Sequence, residues 1–490
     1  MTSWRFAQNL FCALFVHLIF AVSVFAQQDA VERASQLEVQ GKFQEAAALL
    51  QDALGTVGGD RIARKNLEFE QDRLERIKQD YTLTKEKLYQ ILQKSVKALT
   101  EQEFEQWVQE GRFDARVIDG ATYYIGVSRS NLFFRYPELT SRRINPPDWT
   151  EFEQNTWQGV KSIRKAAQEQ HTPYVLPKRF SATMTVTAEA NAAPTGETIR
   201  AWLPVPRVYP HQKDMEFLAS SSPAKTIAAE NSPIRTVYLE QTAEQDKPTV
   251  FTIEYAYTAY GIWFDVKPEH TQPYDKDDSG ASGFTKQGPH VVFTEKIKEL
   301  SQKLAGGETN PAAKARKFYN WITENIKYSY ALEYSTIRNI SDYCLSKGYG
   351  DCGQAALLFI TLCRYNSIPA RWQSGWLTMP GGKTIHDWTE IYLKSYGWVP
   401  VDPYMGVFAM QYFSAPVGMR KEIRDFYFGG LDQYRMAANS DHNQELTPPK
   451  QSLRSDNVDF QRGELEFGTT NIYFNKYSYK LEIKEREKTP

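Results

Sequence analysis

Cysteine is scarce in this chain, at four in 490 residues. A secreted scaffold stapled by disulfides carries a larger, even set, which excludes that class. An excess of charge of one sign is also missing: 58 Lys and Arg face 59 Asp and Glu, a formal net charge of −1. A protein that grips nucleic acid through phosphates needs a positive excess or a basic stripe. Neither is present, so no nucleic-acid partner is expected. There is no HExxH, no P-loop and no dinucleotide-binding glycine run, so neither a metal nor an organic cofactor is expected. Asp275, Asp277, Ser279 and Gly280 imitate the start of a calcium loop, but Lys286 stands where the closing Glu is required. That segment reads as a solvated acidic loop. After residue 26 no apolar run could cross a bilayer, which takes ~20 residues.

The N-terminus carries a clear pattern. Arg5 precedes an apolar run from Leu10 to Phe25, and Val24 and Ala26 offer small residues at the two positions a signal peptidase reads. Residues 1–26 are expected to be a cleaved signal peptide. The protein is then secreted or periplasmic, with no stable membrane insertion after cleavage. Cys12 leaves with that segment. Cys344, Cys352 and Cys363 remain, an odd cluster that implies at least one free thiol in an oxidising compartment.

The length suggests two to four domains. Residues 27–110 read as helical, with Ala34, Leu37, Phe43, Ala46, Ala47, Leu50 and Leu54 at helical spacing and Gly41 as the break. This resembles a single tetratricopeptide-type hairpin without a second copy, a candidate docking face for a protein partner. A mixed connecting segment follows over 111–177. From 178 to 266, alternating runs such as Met184-Thr185-Val186 and Ile253-Glu254-Tyr255 predict an antiparallel β-sandwich. Residues 291–406 hold the chemistry. Over 407–490, a C-terminal extension, late alternating strands return to an existing sheet.

Gly350-Asp351-Cys352-Gly353 leads directly into the apolar run Ala355 to Phe359, which places Cys352 in the first turn of a helix. Unpaired N–H groups and the helix dipole there favour an anion. Beside a histidine such a thiol can titrate at roughly 3.5–7.5 instead of about 8.5. Cys363, further along the same helix, reads as a buried small hydrophobe. His386 opens an alternating segment, His386-Asp387-Trp388-Thr389-Glu390, and Gly397 closes a turn before the return to Asp402. A three-residue loop at 395–397 puts His386 and Asp402 on one sheet face, though staggered. Asp402 would then fix the imidazole tautomer.

These blocks resemble the bacterial transglutaminase-like superfamily: Gly350-Asp351-Cys352, Ile368-Pro369-Ala370-Arg371, His386-Asp387-Trp388, and Gly397-Trp398-Val399-Pro400-Val401-Asp402-Pro403. The resemblance covers about 115 residues, roughly 291 to 406. It implies a papain-like α+β core with Cys352, His386 and Asp402 as nucleophile, base and orienting acid. Two positions depart from the pattern. Asp387 stands where a small residue commonly follows the His, and Ser367 where Gly commonly precedes Ile-Pro. Asp387 is expected to point away from the site.

The expected fold is therefore α+β, a papain-like transglutaminase core preceded by an antiparallel β-sandwich and an N-terminal helical region. The expected activity is that of a cysteine hydrolase or acyltransferase on amide bonds of a protein or peptide, with hydrolysis favoured over transfer. Trp372, Trp376, Trp388 and Trp398 are candidates for an amine channel, and Met379 to Lys383 reads as a short flexible turn rather than a lid. The competing expectation is a non-catalytic envelope protein whose triad is a packed remnant.

Overall fold

Short polar residues set the helix starts. Asp60 accepts hydrogen bonds from the backbone N–H groups of Ile62 and Ala63, both at 3.0 Å. It thereby satisfies donors that the first turn of a helix leaves unpaired. Asn310 does the same for Ala313 at 3.0 Å, with Pro311 at the first helical position. The computed structural model describes residues 28–274 and 281–486. The expected signal peptide, residues 1–26, and the calcium-like positions 275–280 lie outside the described residues.

The chain divides into two units, one ending at Pro146 and the other beginning at Pro147. In the first, a helix that includes residues 28–39 turns at Gly41 into the helix Phe43–Thr56. Gly41 has φ +79°, and a Cβ there would lie 2.9 Å from Val117 Cγ1, so only glycine fits this turn. The core joins Leu88, Leu92, Phe104 and Trp107 to Phe113, Tyr124, Leu132 and Phe133. Residues 111–146 thus pack into the helical unit. The segment read as a single connector over 111–177 is split, because its aromatic doublets supply this core while its later half enters the second unit.

The second unit opens with α1 (Thr150–Gln170). A sandwich follows, built from β1 (Tyr174–Ala188), β2 (Thr198–Pro204), β3 (Gln212–Ser220), β4 (Thr236–Thr242) and β5 (Thr249–Trp263). Helices α2 (Pro311–Asn325) and α3 (Cys352–Tyr365) come next, then β6 (Ala370–Leu377), β7 (Thr384–Leu393) and β8 (Gly397–Val401). They are followed by α4 (Pro403–Tyr412), α5 (Val417–Phe426), β9 (Arg435–Asn439), β10 (Glu464–Phe467) and β11 (Tyr477–Arg486). One sandwich sheet runs β5-β1-β11, with β3 also on β5; the other contains β10-β2-β4. Inward residues of both, among them Met184, Ile253, Leu203, Leu239 and Leu465, form one core. That core also takes Trp376, Met436 and Ala438 from the third sheet, whose order is β8-β7-β6-β9. The sandwich and the sheet that bears His386 therefore share buried side chains.

The turn over 379–383 is clamped. Asn155 Nδ2 donates to the Pro380 carbonyl at 3.3 Å, and a Cβ on Gly382 would lie 2.3 Å from the Phe152 ring. Phe152 also meets Phe408 of α4 edge-on. Helix α1 thus braces both the approach to His386 and the helix that follows Asp402, and the turn is not free to flex as its glycines suggest.

Candidate active site

Asp351 ends the extended chain and caps α3. Its carboxylate accepts from Gln354 N at 3.0 Å, while Gln354 Oε1 accepts from Asp351 N at 3.3 Å, a reciprocal capping box. Cys352 is the first residue of the helix and is partly open to solvent. Gly353 follows for steric reasons: a Cβ there would stand 2.1 Å from Tyr334 Oη and 2.8 Å from Asp387 Oδ2. Gly353→Ala is expected to lower stability by about 1–3 kcal/mol, measured as a fall in the denaturation midpoint of the full chain.

The hairpin turns one residue earlier than the spacing suggests. Leu393 pairs with Gly397 and Thr389 with Val401, so the loop is 394–396. It still holds three residues, which keeps His386 and Asp402 on the same face. Asp402 leaves the strand and caps α4, accepting from Met405 N at 3.0 Å. Its other oxygen faces His386 Nε2 at 2.8 Å, and both side chains are 0 % exposed. This fixes the tautomer: Nε2–H donates to Asp402, leaving Nδ1 as a bare acceptor. That Nδ1 is buried and has no hydrogen-bond partner among the described residues. Trp388 stacks on the imidazole at 5.9 Å, and Tyr404 meets it edge-on at 4.9 Å.

Arg435, on β9, gave no signal in the sequence. Its Nη1 donates to Asp402 Oδ2 at 2.8 Å and its Nη2 to Asp432 Oδ2 at 3.0 Å. Tyr427 Oη also donates to Asp432, at 3.0 Å. Burial pushes the Asp402 carboxyl up, but His386 and Arg435 outweigh it and hold the group below its usual range. For His386, burial lowers the imidazole pKa, and the pull of Asp402 does not fully restore it. The ring is therefore biased toward its neutral form.

Asp387 does not point away from the thiol. Cys352 Sγ donates to Asp387 Oδ2 at 3.2 Å, and Gln461 Nε2 donates to Asp387 Oδ1 at 2.8 Å. Strand alternation does place Asp387 opposite His386. That face, however, carries Ile391 and Leu393, which share a core with α3, so the start of α3 lands on Asp387. Burial first, then the charges of Asp387 and Asp351, raise the Cys352 thiol well above its ordinary value. The downward shift expected at a helix start is reversed here, because burial and then two carboxyls outweigh the dipole. All three cysteines are free, and Cys344 and Cys363 are fully buried thiols raised by desolvation.

Among the described residues no group of His, Cys, Asp or Glu is arranged to hold a metal ion, and no helix is long and apolar enough to cross a membrane.

Residues 298–403 match the family model described as Transglutaminase-like superfamily. A protein of Haemophilus influenzae described as uncharacterized is 27% identical over 145 residues, covering 24% of this chain and 38% of the relative. The chain thus spans well under half the length of that curated relative. Among solved structures, a candidate cysteine protease from Cytophaga hutchinsonii is 17% identical with a TM-score of 0.41, covering 64% of this chain and 92% of that one. The periplasmic domain of TgpA from Pseudomonas aeruginosa is 14% identical with a TM-score of 0.26, covering 55% and 96%. At these scores neither likeness bears on chemistry. The family match encloses the capped cysteine helix and the histidine hairpin just described: over residues 298–403 the chain is similar to the transglutaminase-like superfamily.

Proposed function

We propose that this protein is an exported cysteine-nucleophile enzyme that opens amide bonds of a protein or peptide, with water as the preferred acceptor. The observation that carries this reading is the buried His386–Asp402 pair, whose remaining ring nitrogen has no partner among the described residues, on a strand packed against the helix that begins with Cys352. A buried nitrogen without a partner is costly, and a thiol turned toward it would satisfy it. Proton transfer from Sγ to Nδ1 gives a thiolate that attacks the amide carbonyl. The imidazolium then protonates the leaving amine and, as a neutral ring again, activates water to release the acyl group. N–H groups at the start of α3 are suited to the oxyanion.

Water is favoured because cross-linking needs a dry channel for an amine. Trp372, Trp376 and Trp388 are buried in packing, which removes most of the tryptophans that might have lined one. The test is to trap the acyl-enzyme, identify it by mass spectrometry, and measure its partition with a millimolar alkyl amine present. Hydrolysis product is expected to predominate. Predominant amine incorporation would make the enzyme a transferase and leave the nucleophile unchanged.

One observation favours a second reading, a non-catalytic envelope module: the thiol is bonded to a carboxyl rather than to the imidazole. That module would bind peptides without turnover.

A further inference from the structure

Cys352 has two possible partners on one strand, and in this structure it takes the carboxyl. Asp387 is 3 % exposed and is held from several sides. Gln461 fixes one oxygen, while the thiol bonds the other, with Tyr334 Oη 3.5 Å from it. Asp459 packs behind, held by Asn439 Nδ2 at 3.1 Å and by the Ser374 hydroxyl. Next to it, Asp351 accepts from Tyr334 at 2.7 Å. The carboxyl thus sits in a polar pocket, while Tyr404, which neighbours the sulfur, meets the His386 ring at 4.9 Å, and Nδ1 of that ring is buried without a partner among the described residues. An acceptor beside the thiol and a vacant acceptor on the base are the two halves of a switch.

We infer that Asp387 is a latch for the nucleophile, holding Cys352 as a neutral thiol turned away from His386 until substrate entry swings the sulfur to the imidazole. The inference rests on Cys352 being the nucleophile proposed above. In the swing, the S–H···O bond to Asp387 breaks and an S–H···Nδ1 bond forms. The proton then moves from sulfur to Nδ1, leaving a thiolate–imidazolium pair, and Asp387 keeps the protonation it had. The latch suppresses stray alkylation and oxidation of a thiol in an exported protein, since the thiolate is the reactive form.

The groups facing this pair set the sign of its pH response. Asp351 comes from the cap of α3, Tyr334 from the turn at 334–336, and Asp456, Asp459 and Arg462 from the loop before β10, while Tyr328 and Tyr404 neighbour the sulfur. Carboxyls outnumber the one cation. Burial, then Asp459 and Asp351, lift Asp387 well above the usual carboxylate range, and burial lifts Asp351 and Asp459 to about 6. As pH rises these groups gain negative charge just as the thiol must lose its proton. The wild-type thiol is therefore slow at neutral pH.

The test is site-resolved iodoacetamide labelling of the full chain from pH 5 to 10, read by mass spectrometry. Asp387→Ala removes the acceptor and its charge, whereas Asp387→Asn keeps the volume and guards against a folding defect in the alanine variant. The expected result is a fall of at least one pH unit in the Cys352 labelling midpoint in both variants, with labelling at pH 7 at least tenfold faster. Unchanged midpoints overturn the latch, whatever His386 does. His386→Ala added to either variant separates the two ideas. If the gain vanishes, latch and nucleophile–base pair both stand; if the gain persists, Asp387 restrains the thiol by its own charge alone, and the swing to the imidazole is overturned together with the base assignment.

Discussion

Replacing Cys352 with alanine is expected to abolish turnover of a thioester or glutamine-peptide substrate, a loss of about 10⁴-fold or more. His386→Ala should cost as much, because a thiol without a base and a base without a thiol are equally idle. The double variant should then be no worse than either single one, since residues that act as a unit are strongly non-additive. Asp402→Asn should also fall, as an amide cannot hold the imidazole with Nε2–H outward and Nδ1 free as firmly as the carboxylate seen at 2.8 Å. Equal turnover in wild type and Cys352→Ala would sink the enzyme reading. A protein that bound peptide without any turnover would favour the module reading.

Arg435→Ala is expected to be the most damaging single change to stability. The guanidinium is 3 % exposed and spans two buried carboxylates, Asp402 and Asp432. Removing one partner of a buried pair leaves charge with no compensation, typically about 3–5 kcal/mol. The pH dependence provides an independent check. In the wild type the Asp402 pKa is depressed, so its contribution is present above the unfolded pKa and lost as pH falls through the folded one. Without Arg435 one of the groups that offset burial is gone, so the Asp402 pKa rises from its wild-type position and the variant loses less stability than the wild type as pH falls. The gap between variant and wild type, read as a difference in thermal midpoint, should be largest near neutral pH and narrow toward pH ~4, near the ordinary carboxylate value. A gap that stays constant with pH would show that Arg435 acts by packing alone.

The sequence announced the parts of this site that lie within one element or one hairpin. The capped start of α3 is written in Asp351, Cys352, Gly353 and Gln354, four consecutive residues with a local physical cause. The shared face of His386 and Asp402 follows from a three-residue loop, even though that loop sits one residue earlier than its glycine suggested. Asp387 departs from its expected orientation for a different reason. Its side of the strand was legible, but which side α3 covers depends on tertiary packing through Ile391 and Leu393. Arg435, Asp459 and Gln461 come from regions of weak periodicity, 33 to 85 positions from the side chains they hold. Nothing local marks them, and only assembly of the sheet β8-β7-β6-β9 with the following loops brings them in.

Strand β11 pairs with β1 along its whole length, from Tyr477 opposite Ala188 to Arg486 opposite Arg179. Lys178 and Glu485, at one end of that ladder, are 307 positions apart. A sheet joined across such a distance closes slowly, because loop entropy is spent before the contacts reward it. During synthesis β1 emerges long before its partner and waits with an unsatisfied edge, which invites pairing with other chains. A polypeptide built this way benefits from being kept unfolded until β11 is available, as happens when a chain is threaded through a membrane before it folds. The same topology makes residues 477–486 a late clasp: clipping them would strip β1 of its outer neighbour and open a core to which the sheet that bears His386 contributes Trp376 and Met436.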